Sequence, residues 1–319
     1  EIEKQVTVAL ETALAGIPGL ESTRSFSRNG FAQITAVFAD RTNIYFARQL
    51  VSERINDAKA NLPPGVEVKM GPVSTGLGEI YWWAVEYEKP GTTAPVREGQ
   101  PGWQPDGSYL TPEGERLTDD FHRTVYLRTV QDWIIRPQMK TVPGVAGADA
   151  IGGFVKQFQV QPDPARLIGY GLSFRQVTEA IEANNVSRGA NYIEQNGEGF
   201  VVRAAGRVEN MEDIAQIVVT TRGGVPVRVK DVAEVGIGRE LRTGSASVDG
   251  REVVLGTALM LIGGNSRTVA AAADARIKEI SKTLPPGIYA HTVLNRTQLV
   301  DATIHTVASN LGEGALLVI

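Results

Sequence analysis

The chain has 319 residues, no cysteine and a formal net charge of −4. The missing thiols exclude disulfides and thiolate metal sites, and the acidic balance disfavours nucleic acid as a partner. Hydrophobic residues at 42% and charged residues at 21% suit a globular chain that buries a core, with a prior of two or three domains.

The chain opens in a helical pattern. Val6, Leu10, Ala13, Leu14 and Ile17 recur at helical spacing, with no capping residue before them. Gly16-Ile17-Pro18-Gly19-Leu20 ends that helix. Asn29-Gly30 predicts a hairpin whose second strand covers 31–38, with Ala32, Ile34, Ala36 and Phe38 on a buried face. A second helix carries Ala47, Leu50, Val51 and Ile55; Pro63-Pro64-Gly65 stops it, and a short β-rich stretch follows. A strand is predicted over 80–87. In it Trp82 and Trp83 point to opposite sides, one to the core and the other to a substrate path or a neighbouring repeat. Residues 89–118, with Pro90, Pro95, Pro101, Pro105 and Pro112, predict a long loop.

Asp119-Asp120 predicts a helix start. Thr141-Val142-Pro143-Gly144-Val145 leads to Gly152-Gly153 and a strand over 154–160, read as a second hairpin ending near Gln161. Ser173 and Gln176 form a capping box for a helix whose apolar face is Phe174, Val177 and Ile181. Short strands follow at 199–204, 216–221 and 225–229, the last two around Thr221-Arg222-Gly223-Gly224. A strand-like run over 253–260 places Met260 in the core. The next helix carries Val269, Ala272, Ala273 and Ile277, and Pro285-Pro286-Gly287 stops it before another β-rich stretch. The apolar run at 314–319 is far shorter than the roughly 20 residues that span a bilayer. Both ends read as cut.

These elements repeat. Each copy reads helix, hairpin, helix, strand, and a leading strand makes this β-α-β-β-α-β, the ferredoxin-like split unit. The second copy has that strand at 80–87 and an inserted subdomain of about a hundred residues. The first copy lacks it, which leaves an unpaired sheet edge and predicts self-association. The predicted class is α+β: two ferredoxin-like (βαββαβ) subdomains, the second interrupted by an α+β insertion.

Chemistry-bearing motifs are absent. His122, His291 and His305 are far apart, and Met70, Met139, Met211 and Met260 form no local motif. There is no phosphate-binding loop, dinucleotide fingerprint, serine elbow or His-Glu-x-x-His. The chain is therefore not expected to be an enzyme, and no catalytic or metal residue is assigned.

Stretches in every part of the chain resemble the first periplasmic loop of resistance–nodulation–division exporters, in the heavy-metal-efflux branch. They include Gly16-Ile17-Pro18-Gly19-Leu20, Ile44-Tyr45-Phe46-Ala47-Arg48-Gln49, Ser74-Thr75-Gly76-Leu77-Gly78-Glu79-Ile80-Tyr81, Gln131-Asp132-Trp133, Arg136-Pro137-Gln138 and Asn295-Arg296-Thr297. The resemblance implies a first porter subdomain at 1–74, its leading strand missing, and a second at 78–165 plus 245–300. It implies a docking subdomain at 166–244 and the start of a transmembrane helix at 302–319. It further implies a proton-driven pump for heavy-metal cations in a Gram-negative inner membrane, with this segment in the periplasm. The segment would form a wall of the substrate cleft and a docking surface. Partners implied are a homotrimer, a periplasmic adaptor and an outer-membrane channel; the cation is cargo, and no cofactor is called for. Arg222, Gly223 and Gly224 match the family's docking hairpin, and Trp82 and Trp83 are candidate cleft lining. The family's proton-relay residues and metal-binding methionines fall outside this segment. Cobalt, zinc, cadmium, nickel, copper and silver all stay open. Competing readings are a multidrug exporter of the same fold, disfavoured by 7% aromatic residues, a soluble periplasmic metal-binding protein, and a ferredoxin-like RNA-binding module.

Overall fold

A computed structural model describes the chain except residues 29, 76, 187, 196–197, 205–206, 241–243 and 319; at 188–195, 198–204, 299 and 318 it describes the backbone alone. The chain divides into two compact units, residues 1–78 with 259–264, and residues 79–258 with 265–319.

In the first unit a π turn over Glu3–Thr7 runs into α1 (Val8–Leu14). Val6, Leu10, Leu14 and Ile17 are buried, as their spacing predicts. β1 (Leu20–Arg28) and β2 (Phe31–Phe38) pair antiparallel; Asn29, named for their turn, lies outside the described residues, as does Gly76. α2 (Ile44–Ala58) starts at Asn43, whose Oδ1 accepts from the Tyr45 and Phe46 N–H groups at 2.9 and 3.3 Å. Ala32, Ile34, Ala36 and Phe38 share a face as expected but are only half-buried. That face looks onto a cleft of about 800 Å³, lined also by Val6, Leu10, Val51, Ile55 and residues 65–71. The stretch after Pro63-Pro64-Gly65, expected to be β-rich, joins no ladder, because no strand lies beside it among the described residues. Residues 259–264 belong to this unit: Met260 N–H donates to the Gly78 carbonyl at 2.7 Å and Ile262 N–H to Val73 at 3.2 Å.

The second unit runs through β3 (Glu79–Tyr87), β4 (Gly102–Trp103), β5 (Tyr109–Leu110), β6 (Arg116–Leu117) and α3 (Asp120–Val130). A π turn at Gln131–Ile135 leads to α4 (Arg136–Met139), then β7 (Val145–Ile151), β8 (Lys156–Pro162), α5 (Pro164–Tyr170), α6 (Phe174–Asn184), β9 (Arg188–Gln195) and β10 (Glu198–Ala204). Next come α7 (Met211–Gln216), β11 (Val218–Arg222), β12 (Val225–Arg228), α8 (Val229–Val232), β13 (Ala233–Arg239), β14 (Ala246–Val248) and β15 (Arg251–Met260). α9 (Ser266–Ser281), β16 (Ile288–Asn295) and α10 (Arg296–Val318) complete it. The main sheet has the order β14-β15-β3-β16, with β7 also on β15. Asn265 caps α9 as Asn43 caps α2, accepting from Arg267 and Thr268 N–H at 3.0 and 3.2 Å. The repeat thus extends to the caps. Among the described residues no helix is long and apolar enough to cross a membrane.

Four expectations are corrected. Residues 89–118 are not a loop: β4, β5 and β6 form a small sheet that buries Trp103, Tyr109 and Leu117. Tyr87, Trp103 and Tyr109 meet edge to face, and Tyr109 Oη donates to the Pro286 carbonyl at 2.8 Å. Strands of two residues carry no readable period, while the prolines and glycines supply the turns. Second, β8 does not fold back on β7. It pairs antiparallel with β13, from Pro162 opposite Ala233 to Lys156 opposite Arg239. Gly152 (φ 80°) and Gly153 (φ 64°) serve close passage over β15 instead: a Cβ there would lie 2.6 Å from the Val253 carbonyl oxygen and 2.7 Å from Val254 Cγ2. Third, Phe174 is not on the apolar face of α6; it is 66% exposed, while Val177 is buried and Ile181 packs beside it. Fourth, Met260 is half-buried, being at the end of β15.

Candidate functional site

Arg222-Gly223-Gly224 closes the β11–β12 hairpin, in which Arg222 stands opposite Val225. Gly223 and Gly224 have φ of 54° and 82°, the left-handed pair that a tight two-residue hairpin loop requires. Arg222 Nη1 donates to the Gly169 carbonyl at 3.3 Å, tying the hairpin to the end of α5. Leu167, Val177, Val227 and Val232 form the core beneath it. Replacing both glycines by alanine puts two Cβ atoms in the left-handed region, at roughly 1–2 kcal/mol each. Hydrogen exchange should then show the β11–β12 amides opening earlier while β3 and β16 keep their protection.

The two tryptophans part as the strand pleat requires. Trp83 is fully buried against the helix layer, and its Nε1 donates to Gln131 Oε1 at 2.8 Å. Trp83 is thereby removed from the candidate cleft lining: it is core. On the same side the Tyr81 hydroxyl lies 3.0 Å from Asp274 Oδ1 and 2.6 Å from Thr292 Oγ1, and Lys278 Nζ reaches Asp274 Oδ2 at 2.6 Å. Burial pushes the Tyr81 hydroxyl well up, so it stays a donor.

Trp82, half-buried, faces the other way. Glu86 shares that face by alternation, and the register puts Tyr289 opposite Glu86 and His291 opposite Ala84. The Tyr289 and His291 rings stack with centroids 5.3 Å apart, and His291 Nδ1 lies 3.3 Å from Glu86 Oε1. Among the described residues the buried Trp82 Nε1 has no hydrogen-bond partner, and His291 Nδ1 has only the ion-pair approach of Glu86. Glu86 and Tyr289 escaped sequence reasoning because only the register, fixed across about two hundred residues, brings them beside Trp82. Among the described residues no three His, Cys, Asp or Glu side chains gather into a metal cage. His305 lies on the exposed stretch of α10, Met139 is core, and Met70 and Met211 are 39% and 36% exposed.

The model of the AcrB/AcrD/AcrF family matches residues 1–319. The chain belongs to that family. Among its relatives, the nickel and cobalt resistance protein CnrA of Cupriavidus metallidurans is 56% identical across 100% of this chain and 30% of its own length. The cobalt-zinc-cadmium resistance protein CzcA of the same organism is 49% identical across 100% of this chain and 28% of its own. The cation efflux system protein CusA of Escherichia coli K12 is 34% identical across 99% and 28%. This AcrB/AcrD/AcrF family member thus spans about 30% of the length of the curated relatives it matches. A crystal structure of a heavy metal efflux pump superposes with a TM-score of 0.78 at 31% identity, covering 98% of this chain and 28% of the other. The mixed α/β fold is that of the corresponding part of such a pump.

Proposed function

We propose that this chain is the periplasmic part of a proton-driven heavy-metal cation exporter in a Gram-negative inner membrane. The observation that carries the reading is the match along the whole chain, at 56% identity, to a nickel and cobalt resistance protein. The relatives named for nickel and cobalt, and for cobalt, zinc and cadmium, are 56% and 49% identical, which puts those divalent cations first among the candidates.

We read both units as ferredoxin-like. In the second, the order β7-β15-β3-β16 puts β3 between β15 and β16. β2 and residues 66–70 are the counterparts in the first, so the 800 Å³ cleft between them is where its leading strand belongs. The domain bounds given from the resemblance, with 166–244 as docking subdomain and 302–319 leading into a membrane helix, are part of the same proposal. Arg222, Gly223 and Gly224 then present a docking surface to an adaptor and outer-membrane channel in a homotrimer. The sheet face bearing Trp82 lines the substrate cleft of the assembled pump. Stiff two-layer units suit alternating opening by hinge or shear.

The test is growth of an efflux-deficient bacterium carrying the full-length parent gene, across nickel, cobalt, zinc, cadmium, copper, silver and a bile salt. Protection against nickel and cobalt is expected first. Protection against the bile salt alone would overturn the metal reading and move the chain to the multidrug branch.

A further inference from the structure

In the first unit β1 and β2 form a two-stranded sheet, and among the described residues the outer edge of β1 meets no further strand. The cleft of about 800 Å³ borders β2, so this is the other edge of the sheet. The register sorts the side chains into two faces. Thr23, Ser25 and Ser27 stand opposite Ala36, Ile34 and Ala32, on the face that packs on Val6 and Leu10. The other face carries Arg24, Phe26 and Arg28 opposite Thr35, Gln33 and Phe31. All six of these are exposed, Phe26 and Phe31 at 56% each.

The charge on this strip is one-sided. Between Glu21 and Asp40 the only charged residues are Arg24 and Arg28. Among the described residues neither guanidinium has a hydrogen-bond or ion-pair partner. Charge on an edge strand commonly serves to repel stray strands. That role is indifferent to sign, and it leaves two bare phenyl rings beside the arginines unexplained. A basic, an aromatic and a basic residue at steps of roughly 6.5–7 Å match an extended segment whose acidic and apolar side chains alternate in the same steps. A second copy does not complement the strip: antiparallel pairing about Phe26 sets Arg24 against Arg28, like charge on like. The net charge of −4 disfavours a polyphosphate.

We propose that the outer edge and open face of β1 dock an extended acidic segment of a partner polypeptide, with carboxylates two residues to either side of an apolar side chain. Main-chain hydrogen bonds join the segment to the edge, Arg24 and Arg28 take the carboxylates in bidentate pairs, and Phe26 with Phe31 covers the apolar side chain. Nothing in this recognition depends on the exporter reading.

The test titrates two capped synthetic peptides into the 319-residue chain. One alternates threonine with glutamate, leucine and glutamate; the other has lysine in place of glutamate. NMR shifts are expected with the acidic peptide alone, centred on residues 22–28 and 31–35, and the affinity should fall about tenfold between about 20 and about 200 mM salt. Arg24→Glu together with Arg28→Glu should abolish those shifts and admit the lysine peptide, while Arg24→Lys should keep part of the affinity. Both arginines are exposed, so the hairpin survives their replacement; unchanged Leu10, Ala32 and Ile34 signals report that. Binding of neither peptide, of both alike, or of a short single-stranded RNA in their place overturns the proposal, as does concentration-dependent dimerisation through the same amides. Protection of Phe26 and Phe31 from hydroxyl radicals in the full-length parent purified alone assigns the face to the parent's own remaining length and overturns it too. The growth panel can fail while acidic-peptide binding persists, so the two proposals fall separately.

Discussion

Trp83→Ala should cost the second unit about 5 kcal/mol, close to the whole stability of an ordinary domain. Deleting a fully buried tryptophan removes about 3–5 kcal/mol of burial and packing. It also strips Gln131 Oε1 of its donor in a site where Gln131 is 0% exposed. An unpaired buried acceptor adds about 1–3 kcal/mol. The neighbourhood has no slack on the other side either: a Cβ at Gly256 would lie 2.1 Å from Trp83 Cε2, so the strand beside it is shaped around the indole. Urea unfolding should show the variant unfolded or loosely packed at 25 °C. Trp82→Ala, on the half-buried face, should lose only about 1–2 kcal/mol. Equal losses for the two would mean that Trp83 does not hold the helix layer on the sheet.

Acidification should weaken the second unit through Asp274. Burial alone would raise this carboxyl; hydrogen bonds from Lys278, Tyr81 and Thr292 outweigh it and hold the folded pKa below the ordinary value. Between the two pKa values the unfolded state binds more protons, so stability rises with pH there. The contribution is complete above the unfolded value, about pH 4, and is lost as pH falls through the folded one. Asp274→Asn should flatten the difference in denaturation midpoint between pH 6 and pH 3. Its cost at pH 6 should be about 2–4 kcal/mol, because Tyr81 and Thr292 lose a charged acceptor in a buried setting. A midpoint with the same pH slope in wild type and variant would assign the acid sensitivity elsewhere, Asp119 being the first candidate, since its carboxyl is also held low.

The repeat was legible because its punctuation is chemical. Pro-Pro-Gly stops both α2 and α9, and the apolar stripes of both helices follow the helical period. The Asn43 and Asn265 caps were there to be read and were missed. What escaped has a common cause: the deciding neighbour lies far along the chain. Gly152-Gly153 looks like a hairpin signal until Val253 and Val254 are seen packed over it. The small sheet at 102–117 needs Pro286 and Tyr87 for its aromatic cluster. Of the candidate site, the two-glycine hairpin was local and readable. The neighbours of Trp82 were not, because the register of β3 on β16 supplies them.

The pairing of β3 with β16 sets a timetable for synthesis. Glu79 leaves the ribosome about two hundred residues before Ile288, which at ordinary elongation rates is a delay of roughly 10–40 s. Throughout it the segment Glu79-Ile80-Tyr81-Trp82-Trp83-Ala84-Val85-Glu86-Tyr87 is without its later neighbour, as aromatic and strand-prone a stretch as the chain contains. Glu79 and Glu86 near its ends, with Glu88 just beyond, place negative charge where a stray strand would otherwise add. Nascent chains stalled before residue 288 should therefore be the species that holdase chaperones retain, and glutamate-to-valine changes at 79 and 86 should show first as lost yield, not as lost stability.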